Sequence, residues 1–323
     1  DTSSVKIRKS VFENHSFLSI DAFPERDSTA RRVFEDAKMS TAILLSSNEK
    51  LEEKMTVGVT FEKIIPKERA GFSVQDIKDF SPEMMQIPMC GRGTFNLLME
   101  LRSRKDLLKF GEIAPSIEGE IHMTKCKPAI TSDSSKAPFL KGAQIAKWYY
   151  KTDPAEISQG DIEFIDTEKL NSVCSAEKIS NAAHERIVFQ RLTGINEKFR
   201  LKATIIPEGI YIANSVNNLT YQTNYPPKLL LALFNSKLLN FIFKATSTSS
   251  NVNGYEVDAL PLPQLSENNA ELQENIISFA DQILAAKKAD STADTMELEQ
   301  EIDELVYKLY GLMPEEIAIV EGR

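Results

Sequence analysis

The sequence predicts an α+β fold. Three observations point there. Apolar runs of strand length crowd the first 65 residues, β-branched runs recur through the middle, and amphipathic helical periodicity governs the end. At 323 residues the chain is long enough for two ordinary domains. Its make-up, 42% hydrophobic and 26% charged with 13 Gly and 14 Pro, sets aside collagen-like and low-complexity classes.

Taken in order, Phe17–Ile20 reads as a short strand. Residues 26–36 read as a basic turn and short helix. Ser40–Leu45 is apolar on both faces, as in the interior of a covered sheet. Met55–Phe61 alternates through Val57, Val59 and Phe61. Ser73 is placed to cap a short helix, and Phe95, Leu98, Leu101 and Leu108 phase a longer one over Thr94–Leu108. Two β-branched runs around Pro207-Glu208-Gly209 predict a hairpin over Ala203–Ala213. Pro227–Lys244 is helical and strongly apolar, with Ser236 capping a second piece. A polar loop, 246–254, leads to Leu260-Pro261-Leu262-Pro263. The end predicts a helical hairpin. Leu272, Ile276, Ile283 and Leu284 mark its first helix. Leu298, Ile302, Leu305, Val306 and Leu309 mark its second, with Asp294 and Glu297 at its start and Gly311 and Pro314 at its stop. The expected organisation is an N-terminal α/β piece (1–65), a mixed central domain (66–265) and an acidic helical tail (266–323).

Net charge is −9, but it is unevenly spread. Residues 266–323 hold 14 acids and 4 bases, and the other 265 residues carry a net +1. Lys125–Lys151 has six lysines against Asp133 alone, and Arg186–Lys202 has five bases against Glu197. Two basic stretches flanked by aromatics fit a nucleic-acid partner.

Reactive constellations are sparse. The sequence has no Gly-x-Ser-x-Gly elbow and no Walker loop, and Gly91-Arg92-Gly93 reads as a loop. Asp36 with Glu52 and Lys54 has the residue types of a metal-dependent nuclease, which is one alternative reading. Another is a non-enzymatic interaction module using the acidic tail, with self-association through the C-terminal helices. Asn224-Tyr225-Pro226-Pro227 scrambles the Asn-Pro-Pro-Tyr of amino-methylating enzymes, and its prolines read as the start of a helix. Cys90, Cys126 and Cys174 lie far apart with no Cys-x-x-Cys. That spacing argues against a disulfide scaffold and a cysteine zinc site, and it fits a reducing cytoplasm. No apolar run reaches the 18 or so residues of a membrane span. The start, Asp1-Thr2-Ser3-Ser4, lacks signal-peptide character and reads as that of an excised chain.

Several stretches together resemble one family. Phe139–Tyr150, Arg186–Gly194, Leu231–Phe241 and Leu260–Pro263 resemble, in order, boxes of the TaqI-type C-terminal specificity domain. Glu299–Gly311 is similar to the helical tail of adenine-specific DNA methyltransferases and fused type IIG restriction–modification enzymes. Phe23–Phe34 with Ser40–Leu45 resembles the last strands of their methyltransferase domain. The glycine-rich S-adenosylmethionine motif and the Asn-Pro-Pro-Tyr tetrad are absent from this sequence. The resemblance therefore implies a remnant of an α/β methyltransferase sheet, a target-recognition domain and a C-terminal helical hairpin. The implied partner is double-stranded DNA. Catalysis, S-adenosylmethionine and the Mg²⁺ of any fused nuclease are assigned to the rest of the parent enzyme.

Sequence readers place Lys and Arg on phosphates and Asn, Gln, Arg, Ser or Thr on base edges. Lys141, Gln144 and Lys147 supply both kinds, at a helix-like spacing that puts Lys141, Gln144 and Trp148 near one face. Alternation on a strand over 186–191 puts Arg186 and Gln190 on one face and Arg191 on the other, with the first face favoured for DNA. Replacing Arg186 and Arg191 by alanine is expected to weaken binding without unfolding. Arg200 and Lys202 are expected as phosphate binders or plain surface, and Asn214 and Asn217 as base-edge or turn residues.

Overall fold

A computed structural model describes residues 5–26, 28–48, 54–157, 160–195, 197–220, 225–247 and 249–323. The chain divides into two units, Asp1–Arg104 and Lys105–Arg323, so the expected divisions at 65 and 265 are not where it parts.

The first unit opens with α1 (Val5–Asn14) and holds four strands, β1 (Ser16–Phe23), β2 (Thr41–Ser47), β3 (Lys54–Val59) and β4 (Arg69–Ser73). They form a mixed sheet in the order β2-β1-β3-β4, with β1 parallel to β3 and antiparallel to β2. Two helices follow, α2 (Val74–Phe80) and α3 (Arg92–Ser103). Ser73 caps α2 as expected, its Oγ accepting from Asp76 N–H at 3.0 Å while Asp76 accepts from Ser73 N–H at 2.8 Å. Ile20, Val57, Phe72, Ile77, Phe95, Leu98 and Leu101 are buried. Arg69 crosses the sheet to grip Asp21 with two bonds of 2.9 and 3.0 Å.

Three expectations fail in this unit. Residues 28–36 fold as turns, with Ser28 O accepting from Arg31 and Arg32 N–H, and make no helix. The helix expected to reach Leu108 ends at Ser103, because Leu107 and Leu108 belong to a strand. Strand β2 is an edge, not an interior strand: Ile43, Leu44 and Leu45 are 54, 58 and 54% exposed.

The second unit begins with β5 (Leu107–Lys109), α4 (Phe110–Ile113), β6 (Ser116–Glu118), β7 (Ile130–Thr131), β8 (Ala137–Leu140) and β9 (Glu163–Ile165). Then come α5 (Thr167–Val173), α6 (Ala176–Ile179), β10 (Arg186–Gln190), β11 (Ala203–Ile206), β12 (Tyr211–Ile212) and β13 (Val216–Leu219). One sheet runs β11-β10-β13-β6 and another β12-β8-β9-β7. The expected hairpin does not form as a ladder. Past the turn at Gly209 (φ 85°) the chain changes sheets, β11 pairing with β10 and β12 with β8. The second run is captured by a partner 72 residues upstream because Phe139 and Leu140 present a matching buried edge.

The remaining helices are α7 (Pro227–Asn235), α8 (Lys237–Thr246) and α9 (Gly254–Asp258). A last short strand, β14 (Pro261–Pro263), pairs with β5. Helices α7 and α8 meet at a 57° bend at Ser236, whose Oγ accepts from Leu239 N–H. Both are buried core, and no single helix among the described residues is long and apolar enough to cross a membrane. Asn235 Oδ1 accepts from Ala203 N–H and its Nδ2 donates to Ala203 O, both at 3.0 Å, so a side-chain amide finishes the edge of β11.

The tail adds α10 (Ala270–Ala289), α11 (Met296–Leu309) and a third helix the periodicity did not predict, α12 (Pro314–Glu321). It is no separate body. Helix α10 packs on α7, and α11 and α12 pack on α8, so Ile276, Ile283, Ile302 and Val306 are spent inside this unit. Helix α11 starts at Met296, one residue later than expected, with Asp294 accepting from Met296 N–H.

Candidate nucleic-acid interface

Strand β10 lies between β11 and β13, and Ile187, Val188 and Phe189 are fully buried. Both its faces are covered, so alternation does not divide it into a DNA face and a core face. Arg186 is 3% exposed. Its guanidinium donates to Glu120 at 2.7 and 3.0 Å and to Ile210 O at 2.8 Å, while Glu120 also accepts from Ile212 N–H. This buried ion pair joins β10 to the chain around β12, and it corrects the expectation that Arg186 faces DNA.

Two more expected site residues are interior. Gln144 is 1% exposed, bonding Lys141 N–H and Lys151 O within a single turn, Gly142–Gln144. Lys141, Gln144 and Trp148 do not share a helix, since the turn ends at Gln144 and Trp148 has φ 76°. Arg200 is 1% exposed. It donates to Thr193 Oγ1, Ser247 Oγ, Ser249 O and Asn251 O, lies 4.9 Å from the Phe243 ring centroid, and burial pulls its pKa down to about 10. Its work is to pin the polar loop after α8. Lys141, Lys147 and Lys202 are paired with Glu163, Glu299 and Glu197. Lys147 and Lys202 directly precede the residues joined by the Trp148 N–H to Ala203 O bond of 2.8 Å.

The pinned loop makes a groove where β10 ends. Val252 N–H donates to Arg191 O at 2.7 Å, Thr193 N–H to Ser250 O at 3.1 Å and Arg191 N–H to Ser215 O at 3.2 Å. A cavity of about 130 Å³ opens there, lined by Ser116, Glu118, Arg191, Asn217, Asn253 and Gly254 among others. Arg191 donates to Asn214 O at 2.8 Å and pairs with Glu118. Asn217 is buried and donates to Val252 O at 3.2 Å, so it shapes the floor. Ser116 Oγ is buried with no hydrogen-bond partner among the described residues, and a Cβ on Gly254 would come within 2.5 Å of it. Only glycine lets the loop approach β6 that closely. Gln190 sits half-buried at the end of β10, beside exposed Leu192, and Tyr255 is 66% exposed one residue past Gly254.

Of the expected site residues, Arg191 and Asn217 line this cavity, Asn214 adjoins it through the carbonyl that accepts from Arg191, and Gln190 lies one residue before Arg191; the sequence reading missed Ser116 and Tyr255. It also left out Lys125 and Lys127, which are exposed and make no ion pair among the described residues. Their signal was the basic stretch that contains them.

The groove has hydrogen-bond donors and acceptors but no reactive group, and no set of three metal-ligating side chains occurs among the described residues. Asp36 is described, but Glu52 lies outside the described residues. A cavity of about 590 Å³ in the first unit is lined by Phe23, Val33, Phe34, Ile43, Ile64 and Ile65, with Thr41 and Lys63 as its polar groups. Adenosine cofactors are held by an acid on the ribose hydroxyls. This lining offers none, so it does not fit S-adenosylmethionine.

No family model matches the sequence, and no curated protein matches it. Solved structures do. The type IIL restriction–modification enzyme MmeI aligns with 96% of this chain at a TM-score of 0.53 and 12% identity. The type IIG restriction endonuclease BpuSI aligns with 98% at 0.41 and 11% identity, and the HsdS subunit of Thermoanaerobacter tengcongensis with 67% at 0.33 and 14%. The chain spans 45% of the MmeI chain and 46% of the BpuSI chain. It thus has the fold of a portion of a type IIL restriction–modification enzyme.

Proposed function

We propose that Lys105–Arg323 reads duplex DNA sequence for a restriction–modification enzyme, through the groove at the end of β10. One observation carries the reading. A polar, partly open groove with an arginine at its mouth lies on a fold shared with MmeI, a protein whose structure was determined in complex with DNA. Arg191, Gln190, Asn214 and Asn253 supply donors and acceptors of the kind that discriminate base edges, and exposed Leu192 and Tyr255 supply apolar contact. Lys125 and Lys127 serve phosphates. Glu118 holds Arg191 in the free protein, and on binding Arg191 moves to the O6 and N7 edge of a guanine, which lies in register with the groove. On this reading adenine methylation, with its S-adenosylmethionine, and any Mg²⁺-dependent cleavage belong to residues other than these.

The test is duplex binding by fluorescence anisotropy over a salt series. Affinity is expected to fall steeply as salt rises. Lys125→Ala with Lys127→Ala is expected to lessen the slope of log K against log[salt] by about 2, near 0.9 per lost phosphate contact. A slope the double variant leaves unchanged contradicts the placement of these lysines.

A further inference from the structure

The three cysteines stand at positions 90, 126 and 174, and the fold gathers two of them. The sulfurs of Cys126 and Cys174 lie 2.9 Å apart, 48 residues separated in sequence, where a disulfide bond is about 2.05 Å long. Both segments are already fixed. Cys126 precedes the turn Lys127–Ala129 and its carbonyl accepts from Ala129 N–H at 2.9 Å. Cys174 ends α5 and its N–H donates to Leu170 O at 2.9 Å. Asp166 N–H donates to Ala129 O at 2.8 Å, tying the start of α5 to the end of that turn. Cys126 is 1% exposed in a core cluster with Ile121, Phe139, Ile165 and Leu170, and Cys174 packs against that cluster half-buried. Of the two, Cys174 is thus the more accessible residue.

We propose that Cys126 and Cys174 are a reversible disulfide site whose oxidant is a low-molecular-weight disulfide such as oxidised glutathione. The Cys174 thiolate attacks one sulfur of that disulfide, and one glutathione leaves as a thiolate that takes up a proton. Cys126 gives its proton to solvent and attacks the Cys174 sulfur, which releases the second glutathione. Two protein thiols lose two electrons and two protons, and one glutathione disulfide becomes two glutathione thiols. Cys90 takes no part: it lies in the first unit, and burial pushes its thiol up to about 11, which keeps it protonated and unreactive. The closed loop spans β7, β8 and β9 and includes Lys136, Lys141 and Lys147. Cross-linking it restricts the unfolded chain and so favours the folded one. This inference does not rest on the DNA reading.

The experiment incubates the native chain with mixtures of reduced and oxidised glutathione, quenches with acid, alkylates and maps peptides by mass spectrometry. The expected product links the Cys126 and Cys174 peptides, leaves Cys90 alkylated and reverts with excess reductant. Cys90→Ala keeps the link and Cys174→Ala loses it. The native chain closes at a glutathione ratio at least tenfold more reducing than the urea-unfolded chain, and the oxidised form melts several degrees higher. A glutathione adduct resting on Cys174 without the link overturns the proposal. So does a link to Cys90, equal closure in native and unfolded chains, or a lower melting point on oxidation.

Discussion

Strands β2 and β10 look alike in sequence, and the molecule treats them oppositely. Each is a run of large apolar residues without clean alternation, the pattern of a strand covered on both faces. Strand β10 has that cover: β11 and β13 flank it, and Ile187, Val188 and Phe189 are fully buried. Strand β2 lacks it, lying at a sheet edge with Ile43, Leu44 and Leu45 more than half exposed. An apolar run therefore states that a strand wants cover. It does not state whether the cover is in the same chain.

The contrast breaks most sharply at Arg186. Arg186→Ala strips the partner from a buried carboxylate, Glu120, and is expected to cost about 3–5 kcal/mol. Thermal or urea unfolding of the second unit reads that loss. Arg186→Met with Glu120→Gln keeps an acceptor for Ile212 N–H and is expected to recover most of it. A single variant as stable as the parent contradicts the buried pair. At the other strand, Leu44→Asp adds a charge to an exposed position. It is expected to change stability by no more than about 0.5 kcal/mol while making the chain less prone to associate in light scattering, since charges blunt exposed edges. A large loss of stability there means that β2 is covered after all.

Much of the fold was legible in the sequence. The three N-terminal strands, the Ser73 cap, the break of the apolar helix at Ser236 and the two amphipathic tail helices follow from local rules of period and capping. What failed was non-local. Residues 203–213 have hairpin chemistry, yet the choice of sheet was made by Phe139 and Leu140. Burial was equally hidden. Arg186 and Arg200 read as surface cations because charge is usually solvated, but each is enclosed by acceptors far away in sequence, Glu120 for one and the loop carbonyls of Ser249 and Asn251 for the other. At the groove, Arg191 and Asn214 were readable as residue types, whereas Ser116 and Tyr255 were not. Their relevance arises only because Gly254 lets a distant loop settle on β6. Cys126 and Cys174 were invisible as a pair for the same reason.

Selection of bound duplexes from a randomised library measures the reading of sequence directly. The protein is expected to enrich one defined motif, and Arg191→Ala to enrich the same motif with one position, a guanine in the parent, relaxed by about 1–3 kcal/mol of discrimination. Enrichment of no motif by the parent, or an identical motif of undiminished sharpness from Arg191→Ala, contradicts the groove at the end of β10 as the place where sequence is read.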